Sequence, residues 1–248
     1  MKDLIRLVLW VFLPLSLCAQ ADSARYAVTS ESWEPYWIVR DSAVSGILSD
    51  VMQALQMYMG EPLLADRPLP PLRAQKQFRQ GQVQLECCVS KAWRASPEQA
   101  EVSLWSDTVL EAEEVLVFPV GRAFAFGQLQ DLQGHTIATV RGYGYIGSEY
   151  FTRSDSPDSK SQLLRLAQGR AEAAIIDRLE LAYLLREHPE LSGLSGRIEL
   201  GPVINRSALR IRVHRSREDL LVRLNAAIAR VRQDGMLTGI VERYTGGR

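Results

Sequence analysis

Gly81-Gln-Val-Gln-Leu-Glu-Cys-Cys-Val-Ser-Lys-Ala-Trp-Arg94 is the stretch of this sequence that decides the fold. It begins with a turn glycine, continues through an apolar segment typical of a buried strand, and ends in a polar loop. Ligands of open α/β sheets bind beyond the carboxyl ends of strands, so Arg94 is placed where a guanidinium can hold a small carboxylate. The alternative interpretation is that Arg94 is a solvated loop arginine.

The composition is that of a soluble globular protein with one large domain or two smaller ones. The chain has 248 residues, of which 46% are apolar and 23% are charged. Its formal net charge is zero. Nothing in the charge balance therefore favours a polyanionic partner, and we expect no binding to nucleic acid.

Residues 1–21 have the pattern of a secretory signal peptide. Lys2 and Arg6 precede an apolar run over residues 7–17, and a small-x-small site ends at Ala21. We expect cleavage near Ala21 and a periplasmic mature protein. Two alternatives are a membrane anchor, for which the run is short, and lipidation at Cys18, for which Leu17 is bulky.

The sequence contains two adjacent cysteines, Cys87 and Cys88, in a chain predicted to enter an oxidising compartment. A disulfide between neighbours closes a strained ring, so the sequence favours two small side chains in a buried strand over a disulfide. The three histidines have no metal-ligand spacing with these cysteines. We therefore expect neither a metal nor another cofactor.

Hydrophobic periodicity predicts α/β structure in which one unit is interrupted by a second. Helices are predicted over residues 46–59, 72–79, 161–168, 179–187, 218–232 and 236–244. Strands are predicted over residues 25–29, 63–64, 83–89, 115–120, 136–140, 171–176 and 209–213. The last strand alternates apolar residues with Arg210 and Arg212, so we expect its arginine face to be solvated.

Three further segments contain candidate binding residues. Trp33 and Tyr36 flank a proline at a strand end. Their side chains could either fill a hydrophobic gap in the core or stack on a ligand. Gly142 and Tyr143 lie between a strand and a predicted helix, where backbone N–H groups could meet an anion or form a plain turn. Asp177 ends a strand, where its carboxylate could either cap the N-terminus of the next helix or accept hydrogen bonds from a ligand.

Taken in order, several segments resemble the family 3 solute-binding proteins of ABC transporters, the periplasmic binders of polar amino acids. The resemblance extends over the whole mature chain. It is carried by Trp33–Tyr36, Gly46–Val51, Gly81–Arg94, Asp131–Gly134 with Gly142, Gly169–Asp177, Leu224–Ile228, Asp234–Gly235 and Ile240–Tyr244.

This resemblance implies a type II periplasmic-binding-protein-like fold, with two α/β lobes joined by a hinge of two crossing strands. The first lobe would comprise residues 22–118 and 209–248, and the second residues 119–208. The implied ligand is a small polar solute, an amino acid or a related carboxylate. The implied partner is the membrane permease of an ABC transporter, and we expect the protein to be a monomer without cofactors.

The resemblance also implies roles for individual residues. Arg94 falls where the family's arginine holds the ligand carboxylate, and Asp177 falls where a carboxylate takes the ligand ammonium group. Trp33 and Tyr36 fall where an aromatic residue covers the ligand. The backbone of Gly142 and Tyr143 falls where N–H groups assist the carboxylate.

The sequence departs from the family pattern at several positions of the expected pocket. Glu86 and Cys87 stand where small hydroxyl residues or glycines often contact the ligand. Gln84 replaces a common aspartate, Pro71 and Leu72 stand where a second aromatic residue often stacks, and Tyr143 replaces a small hydroxyl residue. These changes predict a reshaped pocket in which Glu86 is itself a candidate ligand contact.

Two other functions are compatible with the same scaffold. One is a ligand-sensing module for a membrane receptor, which would use the same closing lobes. The other is a dehydratase-like or lyase-like enzyme, with Glu86 near Arg94 as its general base. Because no Ser-His-Asp or Cys-His spacing supports nucleophilic catalysis, we expect the protein not to be an enzyme.

Overall fold

The computed structural model describes residues 23–41 and 43–246. The predicted signal peptide and Cys18 lie outside these residues. Within the described ranges, no helix combines the length and the apolar character needed to cross a bilayer.

The chain alternates strands and helices, as the periodicity predicts. The strands are β1 (Ala24–Ala27), β2 (Ile38–Arg40), β3 (Ala43–Ser45), β4 (Leu63–Ala65), β5 (Leu85–Val89), β6 (Ser103–Pro119), β7 (Thr136–Val140), β8 (Thr152–Ser156), β9 (Ala173–Asp177) and β10 (Ile198–His214). The helices are α1 (Ile47–Met59), α2 (Pro71–Arg79), α3 (Pro97–Ala100), α4 (Ser159–Ala167), α5 (Arg178–Glu187), α6 (Asp219–Gln233) and α7 (Met236–Thr245).

Eight strands form one mixed sheet in the order β4-β1-β5-β10-β6-β9-β7-β8. The outer triplets β4-β1-β5 and β9-β7-β8 are parallel. The long strands β6 and β10 lie between them, antiparallel to each other and to their neighbours. Their mutual register shifts at several points between Leu200 and Arg212. The two parallel units are thus connected by one antiparallel pair, which is the predicted pair of crossing strands.

The buried apolar residues that the structure describes form four clusters, and the two largest are centred on different halves of the molecule. The first contains the apolar face of α1, where Ile47, Val51 and Leu55 recur at helical spacing, packed with α6 residues such as Leu224. The second lies under α4 and α5 and includes Leu163. The second cluster also includes Ile38 of the predicted first lobe. The lobe boundaries at residues 118/119 and 208/209 stay a prediction.

Two long strands differ from the sequence prediction, which covered only their apolar ends. The middle of each carries charged residues that bond across the pair, as in the ion pair between Arg206 Nε and Glu113 Oε1 at 2.8 Å. Such polar segments lack the apolar alternation from which a strand is predicted. After Gly142 the structure has turns instead of the predicted helix, and β8 follows with the polar sequence Thr-Arg-Ser-Asp-Ser.

Candidate ligand-binding site

The two adjacent cysteines of β5 form a disulfide, contrary to the prediction. Both side chains are buried, and the indole Nε1 of Trp37 donates to the Cys87 carbonyl oxygen at 3.1 Å. The part of the chain that the structure describes contains no third cysteine with which either could pair. The carboxyl end of β5 therefore carries a covalent ring beneath an aromatic side chain.

Arg94 follows β5 in a short turn that brings its guanidinium back toward the strand. Its Nε lies 3.1 Å and its Nη2 2.5 Å from Oε1 of Glu86, and its Nη1 donates to the Trp93 carbonyl oxygen at 2.9 Å. The side chain is thus ordered by an ion pair and is not a freely solvated loop arginine. Its contact with a ligand stays a prediction.

Glu86 also pairs with a second arginine, Arg212, which the alternation in the last predicted strand placed on a solvated face. That expectation was wrong: Arg212 is 0% exposed. Its Nη1 donates to Glu86 Oε2 at 2.9 Å, its Nε to Ser103 Oγ at 2.6 Å, and its guanidinium lies 3.9 Å above the Phe78 ring. Alternation in β10 cannot reveal this, because α3 and the start of β6 cover the arginine from elsewhere in the chain.

The cluster of Glu86, Arg94 and Arg212 therefore carries one more positive than negative charge. Glu86 is 7% exposed and lies between the two guanidiniums, which makes it a structural bridge. The excess positive charge lies next to the carboxyl end of β5, where the sequence predicts an anion site.

Asp177 connects the two halves of the molecule. Its Oδ1 accepts from the N–H groups of Leu179 and Glu180 at 2.9 and 3.0 Å, which is N-capping of α5. Both of its oxygens lie 3.0 Å from the Tyr36 hydroxyl, and Oδ2 also accepts from Glu113 N at 3.1 Å. Burial raises the pKa of Asp177 to about 6, although these donors oppose the shift.

An aromatic wall runs from the Asp177 contact to the arginine cluster. The rings of Trp33 and Tyr36 are stacked with centroids 4.0 Å apart, and Trp93 meets Trp33 edge-on at 5.8 Å. Trp93 is 46% exposed and was not among the predicted contacts. Its place directly before Arg94 in the sequence was the available signal.

Gly142 and Tyr143 lie just after β7. The backbone N–H of Tyr143 donates to the Val140 carbonyl oxygen at 3.2 Å, so this donor closes a turn at Gly142, where φ is 83°. Burial raises the pKa of the Tyr143 hydroxyl to about 12, and the negative charges of Glu180 and Glu31 add to the shift. The two residues are therefore a turn, and their contact with an anion stays a prediction.

Sequence reasoning missed Glu180, which occupies the first turn of α5. Acidic residues there usually stabilise the helix dipole from the surface, so the sequence gives no reason to single it out. In the structure it is only 8% exposed. Burial, assisted by the charges of Asp177, Glu34 and Glu114, raises the pKa of Glu180 to about 8.

Five of the seven predicted residues are connected through Trp93, and this series of contacts does not include Gly142 or Tyr143. Glu86 holds Arg94, Arg94 bonds the backbone of Trp93, Trp93 meets Trp33, and Trp33 stacks on Tyr36, which bonds Asp177. Two cavities, of about 590 and 280 Å³, lie elsewhere and share Arg178 in their linings. Neither is lined by Arg94 or Asp177.

No protein-family model matches this chain, and no curated protein matches its sequence. Solved structures do match. The L-cystine solute receptor of Neisseria gonorrhoeae, in its unliganded open conformation, is 15% identical, with a TM-score of 0.70 over 91% of this chain and 93% of that one. The GluR0 ligand-binding core in complex with L-glutamate is 17% identical, with a TM-score of 0.69 over 91% and 99%.

A histidine kinase sensor domain with similarity to periplasmic binding proteins is 19% identical, with a TM-score of 0.66 over 91% of this chain and 96% of that one. At these identities the likeness concerns the fold. The chain therefore has the two-lobed α/β fold of periplasmic-binding-protein-like domains, as the sequence predicts.

Proposed function

We propose that this protein is an extracytoplasmic solute-binding protein that captures a small polar solute, an amino acid or a related carboxylate, for uptake by an ABC-transporter permease. One observation carries the proposal. The buried hydrogen bond between Tyr36 and Asp177 joins the two halves beside an aromatic wall that leads to Arg94. Aromatic walls with a few convergent polar groups are typical of sites for small molecules.

The charge of the arginine cluster favours a carboxylate ligand. Glu86 neutralises only one of its two arginines, so a ligand carboxylate at Arg94 would balance the remaining charge. Trp33 and Trp93 would cover the apolar part of the solute. Closure would take place at β6 and β10, between lobes that we place at residues 22–118 with 209–248 and at residues 119–208.

Sensing is a second candidate function, favoured by the structural likeness to a histidine kinase sensor domain. A sensor would use the same ligand contacts and would pass lobe closure to a membrane receptor. An enzyme is less well supported, because Glu86 accepts hydrogen bonds from Arg94 and Arg212 and is poorly placed to take a proton. In either case we propose a periplasmic monomer that needs no cofactor.

The decisive experiment is mass spectrometry of small molecules that co-purify with the protein expressed in the periplasm. We expect a small carboxylate-bearing solute in stoichiometric amount, released by unfolding and rebound after refolding. Incubation with the refolded protein should leave the solute unchanged. Turnover of the solute would instead indicate an enzyme, and cross-linking to a permease or to a receptor would distinguish transport from sensing.

Tyr36→Phe is expected to weaken solute binding roughly five- to tenfold, because it removes a buried hydrogen bond of about 1 kcal/mol between the two halves. The ring that stacks on Trp33 is kept. Calorimetric titration with the co-purified solute measures the change. Tyr26→Phe is the matched control, since Tyr26 is buried in β1 against Trp37. Equal losses in the two variants would remove the Tyr36–Asp177 bond from the closing mechanism.

A further inference from the structure

The larger of the two cavities, with a volume of about 590 Å³, is large enough for a small molecule and shares no residue with the series of contacts from Glu86 to Asp177. Its walls come from β6 between Thr108 and Glu113, from the first turn of α5, from the end of α6 and from α7. We call it the α7 cavity. Pockets that bind small molecules usually measure roughly 300–1,000 Å³ and are mostly apolar, with a few polar groups.

One wall of the α7 cavity is apolar. Five side chains from β6, α5 and α7 form it: Val109, Leu110, Leu179, Leu237 and Val241. All of them pack against the first hydrophobic cluster, yet all except Val109 are only half-buried. The wall therefore has apolar surface that a hydrocarbon chain could remove from water.

Arg232, at the end of α6, brings a positive charge to this cavity. Its Nη2 donates to the carbonyl oxygens of Thr108 at 2.5 Å and of Val109 at 3.3 Å. These carbonyl groups hold the guanidinium against β6 but do not neutralise it. In the ranges 23–41 and 43–246 no carboxylate lies within ion-pair distance of Arg232. Most of its five N–H donors are therefore free to bind an anion.

A second arginine of the lining, Arg178, shares its carboxylate partner. Arg178 Nε donates to Glu113 Oε2 at 2.9 Å, while Glu113 Oε1 accepts from Arg206 Nε at 2.8 Å. The other acidic residue of the lining, Glu111, is exposed. With Arg206 included, three arginines face two glutamates, which leaves one positive charge in excess at this cavity.

The smaller cavity, of about 280 Å³, adds apolar surface next to Arg178, which lines both spaces. Its polar residues besides Arg178 are Ser195 and Glu199. Its other lining side chains are apolar: Val117, Leu181, Ala182, Leu185, Ile198 and Leu200. A charged group held by Arg178 would thus have apolar lining beside it in both cavities, which favours a ligand whose charged end is joined to a hydrocarbon chain.

We infer that the α7 cavity binds a small amphipathic anion, a single alkyl or acyl chain with a carboxylate or sulfate head. The head would lie at Arg178 and Arg232, and the chain would lie against the apolar wall. The excess positive charge disfavours a cationic amphiphile, and the apolar wall gives a bare inorganic anion nothing to contact. This site is separate from the solute site at Arg94, and the inference does not rest on the proposed function.

The test begins with probes that have the same chain of eight carbons and different heads: octanoate, 1-octanol and octyltrimethylammonium. Calorimetry below the micelle-forming concentration measures their binding to the wild-type protein. We expect octanoate to bind at one site per chain, at least about tenfold more tightly than the other two probes. Decanoate should bind roughly fivefold or more tightly than octanoate, because its longer chain buries more apolar surface. Equal affinity for octanoate and 1-octanol, or no gain from octanoate to decanoate, would overturn the inference.

Substitutions in the lining test the charge. Arg232→Gln is expected to weaken octanoate binding roughly five- to tenfold, because it removes a charged donor, while the glutamine amide can still donate to β6. Glu111→Gln should strengthen binding about twofold, because it removes a negative charge from the lining. Arg230→Gln is the matched control, since Arg230 is an exposed arginine of the same helix outside the lining, and it should bind as wild type does. Unchanged affinity in Arg232→Gln, or an equal loss in Arg230→Gln, would contradict the assignment.

A photoreactive decanoate with a diazirine at the end of its chain locates the site without any variant. Mass spectrometry of the labelled wild-type protein should find the label on α5 and α7, at residues such as Leu179, Leu237 and Val241. Label confined to residues 33–36 or 86–94 would place the probe in the solute site, which would reject this inference and leave the proposed function intact. Binding to phosphatidylglycerol vesicles without binding of free decanoate would indicate a membrane-contact surface and would also reject the inference.

Discussion

Replacing Glu86 by alanine is expected to lower the free energy of unfolding by about 3–5 kcal/mol, the usual cost of removing one partner from a buried ion pair. The change leaves Arg212, which is 0% exposed, without its carboxylate and close to a second guanidinium on Arg94. Urea unfolding followed by circular dichroism and tryptophan fluorescence measures the loss.

Two variants identify the cause of that loss. Glu111→Ala removes an exposed glutamate of β6 and should change stability little. Glu86→Ala combined with Arg212→Met should recover part of the stability, because the methionine places an apolar side chain against Phe78 in place of an unpaired charge. A loss below about 1 kcal/mol in Glu86→Ala would show that the cluster is not a structural bridge.

Replacing Arg94 by alanine is expected to weaken solute binding at least about a hundredfold while the protein stays folded. A desolvated charge pair with the ligand carboxylate is worth about 2–5 kcal/mol when one partner is removed. Stability should change little by comparison, because Glu86 keeps its bond to Arg212. Calorimetry with the co-purified solute gives the affinity, and the urea midpoint gives the stability.

The controls for Arg94 separate charge from geometry. Arg94→Lys keeps the positive charge and loses the planar fork, so it should retain only part of the affinity. Arg73→Ala removes an exposed arginine of α2 and should bind as wild type does. Unchanged affinity in Arg94→Ala would leave Arg94 as a structural partner of Glu86 alone.

The fold was predictable wherever apolar spacing was undisturbed. Helix α1 repeats its apolar residues at helical intervals and ends at Gly60, and β7 is a short apolar run after a turn, so both were predicted closely. The middle of β6 was not, because its charged residues bond to β10 from a distant part of the sequence. Pairing of this kind is set by tertiary contacts and leaves no local pattern.

The sequence predicted that Arg94 and Asp177 follow or end strands, and it did not predict their contacts in the structure. Strand ends and turn signals located Arg94 and Asp177, but not the partners that occupy them in the structure. Arg212 was expected to be solvated because local alternation carries no information on what covers a side chain. The Cys87–Cys88 disulfide was misjudged because the cost of closing a ring between neighbouring cysteines was taken to decide against the bond.

The antiparallel pairing of β6 with β10 has a consequence for how rapidly solute could enter and leave. Both connections between the halves run side by side as one ribbon, and register irregularities of this kind bend and twist a strand pair locally. A strand pair that bends at such points can let the two halves move apart while its interstrand hydrogen bonds stay intact. The residence time of a bound solute would then depend on the contacts between the two halves, above all on the hydrogen bond from the Tyr36 hydroxyl to Asp177.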